Sequence, residues 1–262
     1  MKYKTIILEK KGPIDIIILN RPKKMNAFSY EMIDEFADAI ITISRDWSSW
    51  VLVIKANGKS FCSGHDIEEP LVFPGQSIEE VRQVNRKMLS IPLSLQKMNK
   101  VVVSAVKGTA LGFGFDLALA SDIIISAENA RFSQGFLKIG LAPGMGGAWH
   151  LPRAIGIKKA AELLFTGDFI KAEEAYRLGM INKLVNENFV DEEAMKMAEH
   201  LGKGAATAIR MSKYLLYNCL QLDFSSALDA CNVAETMTLF TEDFVEGEKA
   251  IKEKRAANYK GK

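Results

Sequence analysis

The residues best suited to chemistry lie where small residues follow strand-like runs. In KGTALGFGFDLALASD, Gly112 and Gly114 flank Phe113 and lead into an apolar segment that carries one carboxylate, Asp116. Glycine admits a ligand to bare backbone, and the first N–H groups of a helix have no partner inside it, so a developing negative charge could be received there. Asp116 falls about one turn into that helix and is the only acid between Lys107 and Ser121, so it could hold or move a proton beside that charge. The same residues also allow a plainer role, in which the glycines permit close packing and Asp116 caps the helix or pairs in the core.

A second turn repeats the arrangement. Cys62, Ser63 and Gly64, in NGKSFCSGHDIEE, follow the apolar run Val51–Ala56 and describe a narrow turn whose backbone amides can face a ligand. His65 comes next and is one of three histidines; a lone histidine more often makes a structural hydrogen bond than a catalytic one. Lys23 and Lys24, beside Pro22 in a polar loop, suit either plain solvation or a phosphate-bearing ligand. The glycine-rich residues 136–147 are no phosphate loop, since no Lys-Ser or Lys-Thr follows the last glycine, and the central GFG does not extend to GxGxxG.

These turns need a scaffold, and the flanking pattern describes one. Residues 3–9 and Ile14–Leu19, separated by Lys10-Lys11-Gly12-Pro13, read as a hairpin. Further strands are expected at Val51–Ala56, Val101–Val106, residues 123–125, Arg131–Ser133 and residues 181–185. Ser29 should cap a helix with Met32, Ile33, Phe36, Ala37 and Ile40 on one face. Ser77 to Glu80 is a capping box opening a helix with Val81, Val84, Met88 and Ile91 inward, broken or bent at Pro92. Asp191, Asp223 and Thr241 read as caps of later helices. Alternating strands and helices followed by a helical tail indicate an α/β core with a C-terminal helical subdomain starting near residues 202–205. Strand-loop-helix units recur at roughly fifty residues, which suits a spiral of similar units.

Composition narrows the function classes. A chain of 262 residues with 48% hydrophobic and 25% charged residues can bury a large core and is neither disordered nor fibrous. A net charge of +2 without a basic block gives no footprint for nucleic acid. Three cysteines (Cys62, Cys219 and Cys231) lack metal-ligand spacing and favour a reducing compartment. No run approaches the ~18 apolar residues of a membrane helix, and the N-terminal apolar run is too short for a signal peptide. A cytoplasmic protein without membrane partner is expected.

Taken together, LNRPKKMNAFS, KSFCSGHDI, KGTALGFGFDLALASDIIIS, RFSQGFLKIGLAPGMGGAWHLPRAIG, TGDFIKAEEAYRLGMINKLV and EDFVEGEKAIKEKRAANYKGK resemble the crotonase superfamily, the enoyl-CoA hydratase/isomerase family, in order over nearly the whole chain. The resemblance implies an α/β fold: a crotonase-like ββα spiral core over residues 1–203 that binds acyl-CoA. A C-terminal helical trimerisation subdomain over residues 204–262 would build a homotrimer or a dimer of trimers. It implies an acyl-CoA thioester whose carbonyl oxygen lies between the backbone N–H groups of His65 and Phe113. Lys23, Lys24, Ala27, Asp66, Ile67, Gly112, Phe136 and Lys254 match regions that contact the substrate. No metal or separate cofactor is implied, since coenzyme A is part of the substrate.

The departures matter as much as the matches. Of the two glutamates that hold a water in a 2-enoyl-CoA hydratase, the first is matched by Asp116 and the second by Phe136; a further acid of some relatives falls on Gly144. Asp116 is left as the one motif-matched acid/base. The implied activity is addition or removal of water, or a double-bond shift, through an oxyanion-stabilised thioester enolate. Decarboxylation, thioester hydrolysis, or acyl-CoA binding with little catalysis are the alternatives. His65 and Gln134 could border the acyl pocket, whereas Trp149 and His150 read as packing or surface residues.

Overall fold

A continuous β-branched run is favoured as a strand where both faces are covered, and the four inner strands of the main sheet meet that condition while its two edge strands are partly exposed. The computed structural model describes residues 3–262. Strand β1 (Ile6–Lys11) pairs antiparallel with β2 (Ile14–Leu19). Beyond β2 the main sheet runs parallel through β3 (Val51–Ala56), β4 (Val101–Val106), β6 (Ile123–Ala127) and β9 (Lys183–Val185). A smaller sheet joins β5 (Thr109–Leu111), β7 (Arg131–Ser133) and β8 (Ile170–Lys171). Cys62 extends it by a parallel bridge to Ala110.

The two sheets define the repeat. β3, the Cys62 bridge and helix α2 (Ile78–Lys97) form one turn of the spiral. β4, β5 and α3 (Phe113–Leu119) form the next, and β6, β7 and α4 (Gly147–Ile155) the third. The Cys62 bridge, β5 and β7 run parallel and so deliver the chain to the same end of the molecule before a helix carries it back, whereas β8 runs antiparallel to β7. Helix α1 (Tyr30–Arg45) buries Met32, Ile33, Phe36, Ala39, Ile40 and Ile43 against the sheet, and Ser29 accepts the Met32 N–H as its cap. After α4 come α5 (Ile157–Thr166), α6 (Ala172–Arg177) and α7 (Val190–Gly202). The C-terminal helices are α8 (Ala206–Asn218), α9 (Phe224–Leu239) and α10 (Glu242–Lys252).

Several local expectations shift. β1 begins at Ile6 and runs on to Lys11 because its register with β2 pairs Lys11 with Ile14. Pro92 does not break α2: Met88, Ile91, Pro92 and Leu95 are all buried, and that burial offsets the missing hydrogen bond. Val81 and Val84 are not buried, since the first half of α2 lies over a cavity rather than over the core. Ala39 and Ile43, not Ala37, complete the buried face of α1. Asp191 lies inside α7 and caps nothing; a 3₁₀ turn at Glu187–Phe189, capped by Asn186, leads into the helix instead.

Helix α8 is fastened to the sheet by buried polar bonds rather than by its amphipathic face alone. The Lys213 ammonium donates to the carbonyls of Leu95 and Lys100 at 2.7 and 2.8 Å and to the Asp122 carboxylate at 2.8 Å. The Tyr217 hydroxyl donates to the same carboxylate at 2.6 Å. Asp243 accepts the Lys260 and Gly261 N–H groups, which ties the C-terminal tail back onto α10.

Candidate active site

Two backbone turns meet at the end of the small sheet. A methyl group added to Gly64, whose φ is +98°, would lie 3.0 Å from the Leu111 carbonyl oxygen and 3.8 Å from the Phe113 nitrogen. Gly114 is pressed so closely on Cys62 that an added methyl would come 2.4 Å from its carbonyl oxygen. These contacts, with the Leu111 N–H donating to Cys62 O at 2.9 Å, set the Gly64–His65 turn beside the start of α3. Phe28 N–H donates to Gly64 O and Asp66 N–H donates to Phe28 O, which leaves the His65 N–H outside that ladder. Phe113 is the first residue of α3, where an N–H has no acceptor within the helix. Two neighbouring amide donors at a helix N-terminus can stabilise an oxyanion.

Both donors open on a cavity of about 550 Å³. Leu111, Phe136, Ile139, Leu141 and Met145 line one side of it, and Leu71, Val72, Val81 and Met88 the other. The Phe136 ring lies against Gly112: a methyl there would be 3.7 Å from Cε1 and Cζ. Phe136, which the resemblance matches to a second acid, thus places an aromatic ring beside the residue that precedes the Phe113 amide.

Asp116 is fully buried on α3, three residues after the Phe113 donor, and does not itself line the cavity. Its Oδ1 accepts from Gln134 Nε2 at 2.8 Å, and Gly147 packs against the pair. Asp116 Oδ2 and Gln134 Oε1 have no partner among the described residues. Burial pushes the Asp116 carboxyl up to about 7, partly countered by the Gln134 hydrogen bond. At neutral pH such a group can both take and return a proton.

The remaining expected residues divide. Ile67 is exposed at the cavity mouth, and Ala27 is buried next to Phe28, which bridges to His65. Lys23 is exposed in the Pro22–Lys24 turn, while the neighbouring Lys24 ammonium pairs with Glu68. Asp66 does not present its carboxylate to a ligand: it is buried and paired with Arg21 at 2.8 Å, which holds its pKa down against the opposing effect of burial. Lys254 follows α10 with φ +53°, exposed and outside the cavity lining. The His65 ring lines the cavity. Its Nε2 donates to the Glu69 carbonyl at 3.1 Å, and Nδ1 is buried without a partner among the described residues. Trp149 and His150 stack edge to face outside the cavity lining, with Arg153 over the indole. The wall supplied by α2 and by Leu71 and Val72 escaped sequence reasoning, because nothing in an amphipathic helix says which cavity it will roof.

The description "Enoyl-CoA hydratase/isomerase" matches residues 9–262. The chain belongs to the enoyl-CoA hydratase/isomerase family. It is similar to a crotonyl-CoA hydratase of Syntrophomonas wolfei, with 35% identity over 260 residues covering 99% of both chains. A 1,2-epoxyphenylacetyl-CoA isomerase of Escherichia coli is 32% identical over 247 residues, 94% of each chain. The crystal structure of an enoyl-CoA hydratase from Bacillus anthracis superposes with a TM-score of 0.93 at 31% identity, covering 99% of this chain and 100% of that one. As a member of this family the chain is an acyl-CoA enzyme of the hydratase/isomerase type, and the spiral of ββα units is that family's fold.

Proposed function

We propose that the enzyme shifts a double bond in an unsaturated acyl-CoA. The thioester oxygen accepts from the His65 and Phe113 N–H groups. Asp116 removes a proton from the α-carbon of a 3-enoyl thioester, the charge passes to the thioester oxygen as a dienolate, and the same carboxyl returns the proton to the γ-carbon. Donors of this kind contribute roughly 2.7–4 kcal/mol each in analogous acyl-transfer sites. The carrying observation is that one carboxyl, raised to about 7, stands near the two amides while the second acid position is Phe136. A single acid/base suffices for a proton shift, whereas hydration by two carboxylates needs a partner that Phe136 and Gly144 cannot supply. Since Asp116 is bonded to Gln134 away from the cavity lining, the proposal requires its carboxyl to turn toward the substrate.

A second reading, hydration, is supported by the 35% identity to a protein named crotonyl-CoA hydratase. Incubating the enzyme with 3-enoyl-CoA and 2-enoyl-CoA thioesters in deuterium oxide separates the two. A positional shift without 3-hydroxyacyl-CoA supports isomerisation, and 3-hydroxyacyl-CoA as main product overturns it. The shift conserves atoms and electrons, so it calls for no cofactor beyond the coenzyme A carried by the substrate. Lys23, Lys24, Ile67 and Lys254 remain our candidates for contacts to that coenzyme A, and Ala27 and Asp66 for the backbone around it.

The assembly we propose is a homotrimer or dimer of trimers formed through residues 204–262. Exposed Phe224, Leu228, Val233, Met237 and Phe240 on and just after α9 support it, since apolar groups so concentrated favour a covered face. The cytoplasmic assignment stays part of this proposal and is supported by the free thiols Cys62, Cys219 and Cys231, which suit a reducing compartment.

A further inference from the structure

The size and lining of the cavity specify the acyl group. A methylene group takes about the space of a water molecule, roughly 30 Å³, so a four-carbon acyl chain would fill about 120 Å³. The cavity, shared at its mouth near Ile67 with the thioester and the adjoining end of coenzyme A in the proposed complex, holds about 550 Å³. Its walls pair Leu111, Phe136 and Leu141 with Val81 and Met88. Of the polar side chains on it, Ser63 and Asn85 are uncharged, the Glu69 carboxylate is engaged by the Tyr30 N–H at 2.6 Å, and His65 Nε2 lies against the Glu69 carbonyl. Among the described residues no lysine or arginine on the lining offers a cation to a charged acyl terminus. The Phe136 ring lies on Gly112, the residue before the Phe113 N–H, so apolar surface begins beside the proposed oxyanion donors.

We propose that the preferred substrate is an uncharged apolar acyl-CoA of about eight or more carbons, linear or ring-bearing, with Phe136 and Leu141 as specificity-determining residues. The inference rests on the acyl-CoA reading above and concerns the same site. Each methylene moved from water onto such walls favours binding about fourfold, until the cavity is full.

The test is a chain-length series of straight 3-enoyl-CoA thioesters from four to twelve carbons, read as kcat/KM, beside calorimetric affinity for the saturated acyl-CoA thioesters. The expected result is a rise of about fourfold per methylene through eight carbons in both series. Leu141→Trp, which narrows the cavity at a half-exposed position, should depress values at eight carbons and above by at least tenfold more than at four. A terminally carboxylated eight-carbon analogue should bind at least tenfold more weakly than its uncharged counterpart. A maximum at four carbons, or flat affinity in a correctly folded protein, overturns the inference and leaves the proposed reaction standing. Turnover absent at every length with the affinity slope intact overturns the reaction and upholds the cavity's preference.

Discussion

Asp116 and Gln134 each bury one oxygen without a partner among the described residues, and the proposed mechanism turns on what burial does to the carboxyl. Asp116→Asn keeps the shape and removes the basicity, so turnover should fall by roughly 10²–10⁴ with thioester affinity little changed. In the wild type, activity that needs the ionised carboxyl should decline as pH falls through about 7. Stability runs the other way. The folded protein holds this proton more tightly than the unfolded chain, whose carboxyl has the ordinary value of 3.8. The group's contribution is therefore fully present below about pH 4 and lost as pH rises through about 7, at most ~4 kcal/mol in all. The asparagine variant should thus gain melting temperature relative to wild type between pH 5 and pH 8. If the difference between the two proteins is the same at both ends of that range, the carboxyl is not raised. If the variant turns over normally, Asp116 is structural.

The proposed oxyanion donors depend on how elements approach one another, above all on α3 touching the Cys62 turn. Gly114→Ala places a methyl 2.4 Å from the Cys62 carbonyl oxygen, and backbone must move to admit it. We expect a stability loss of about 1–3 kcal/mol and a fall in kcat of at least about tenfold per folded molecule, because the two N–H groups no longer converge. Unchanged turnover per folded molecule would show that their spacing tolerates the shift. Helix α8 offers a different test. Lys213→Met leaves the buried Asp122 carboxylate with only the Tyr217 hydroxyl and the Val102 N–H, a change that should cost about 3 kcal/mol in urea denaturation. A loss near zero would mean that Asp122 finds water once the ammonium is gone.

On the scale of the whole molecule, the Cys62 bridge, β5 and β7 run the same way, so donors from separate turns share one cavity, while α8 is bonded to the Ser49 carbonyl ahead of β3 and to the Lys100 carbonyl ahead of β4. Phe240 is 88% exposed and Val233 61% exposed, too much apolar surface to leave to water if the proposed trimer forms. Phe240→Asp combined with Val233→Asp should shift the mass measured by light scattering from a multiple of three chains toward 29.0 kDa. A wild-type protein already at the single-chain mass would sink the assembly proposal.

Much of this architecture is local code. The parallel strands are continuous apolar runs, and Ser29, Ser77, Asp223 and Thr241 act as the N-caps their types announce, since a cap bonds only two or three residues ahead. The glycine turns around His65 and Phe113 were legible for the same reason, and the ordered motifs carried the family. What lies between distant segments was not. Arg21 claims Asp66 across 45 positions, Gln134 claims Asp116 across 18, and α2 roofs the acyl cavity. Pro92 survives inside a helix because of what its neighbours bury. Periodicity and capping describe how a segment relates to itself, whereas the pairing of a side chain and the closing of a cavity depend on which surfaces the folded chain brings together, and only the tertiary structure decides that.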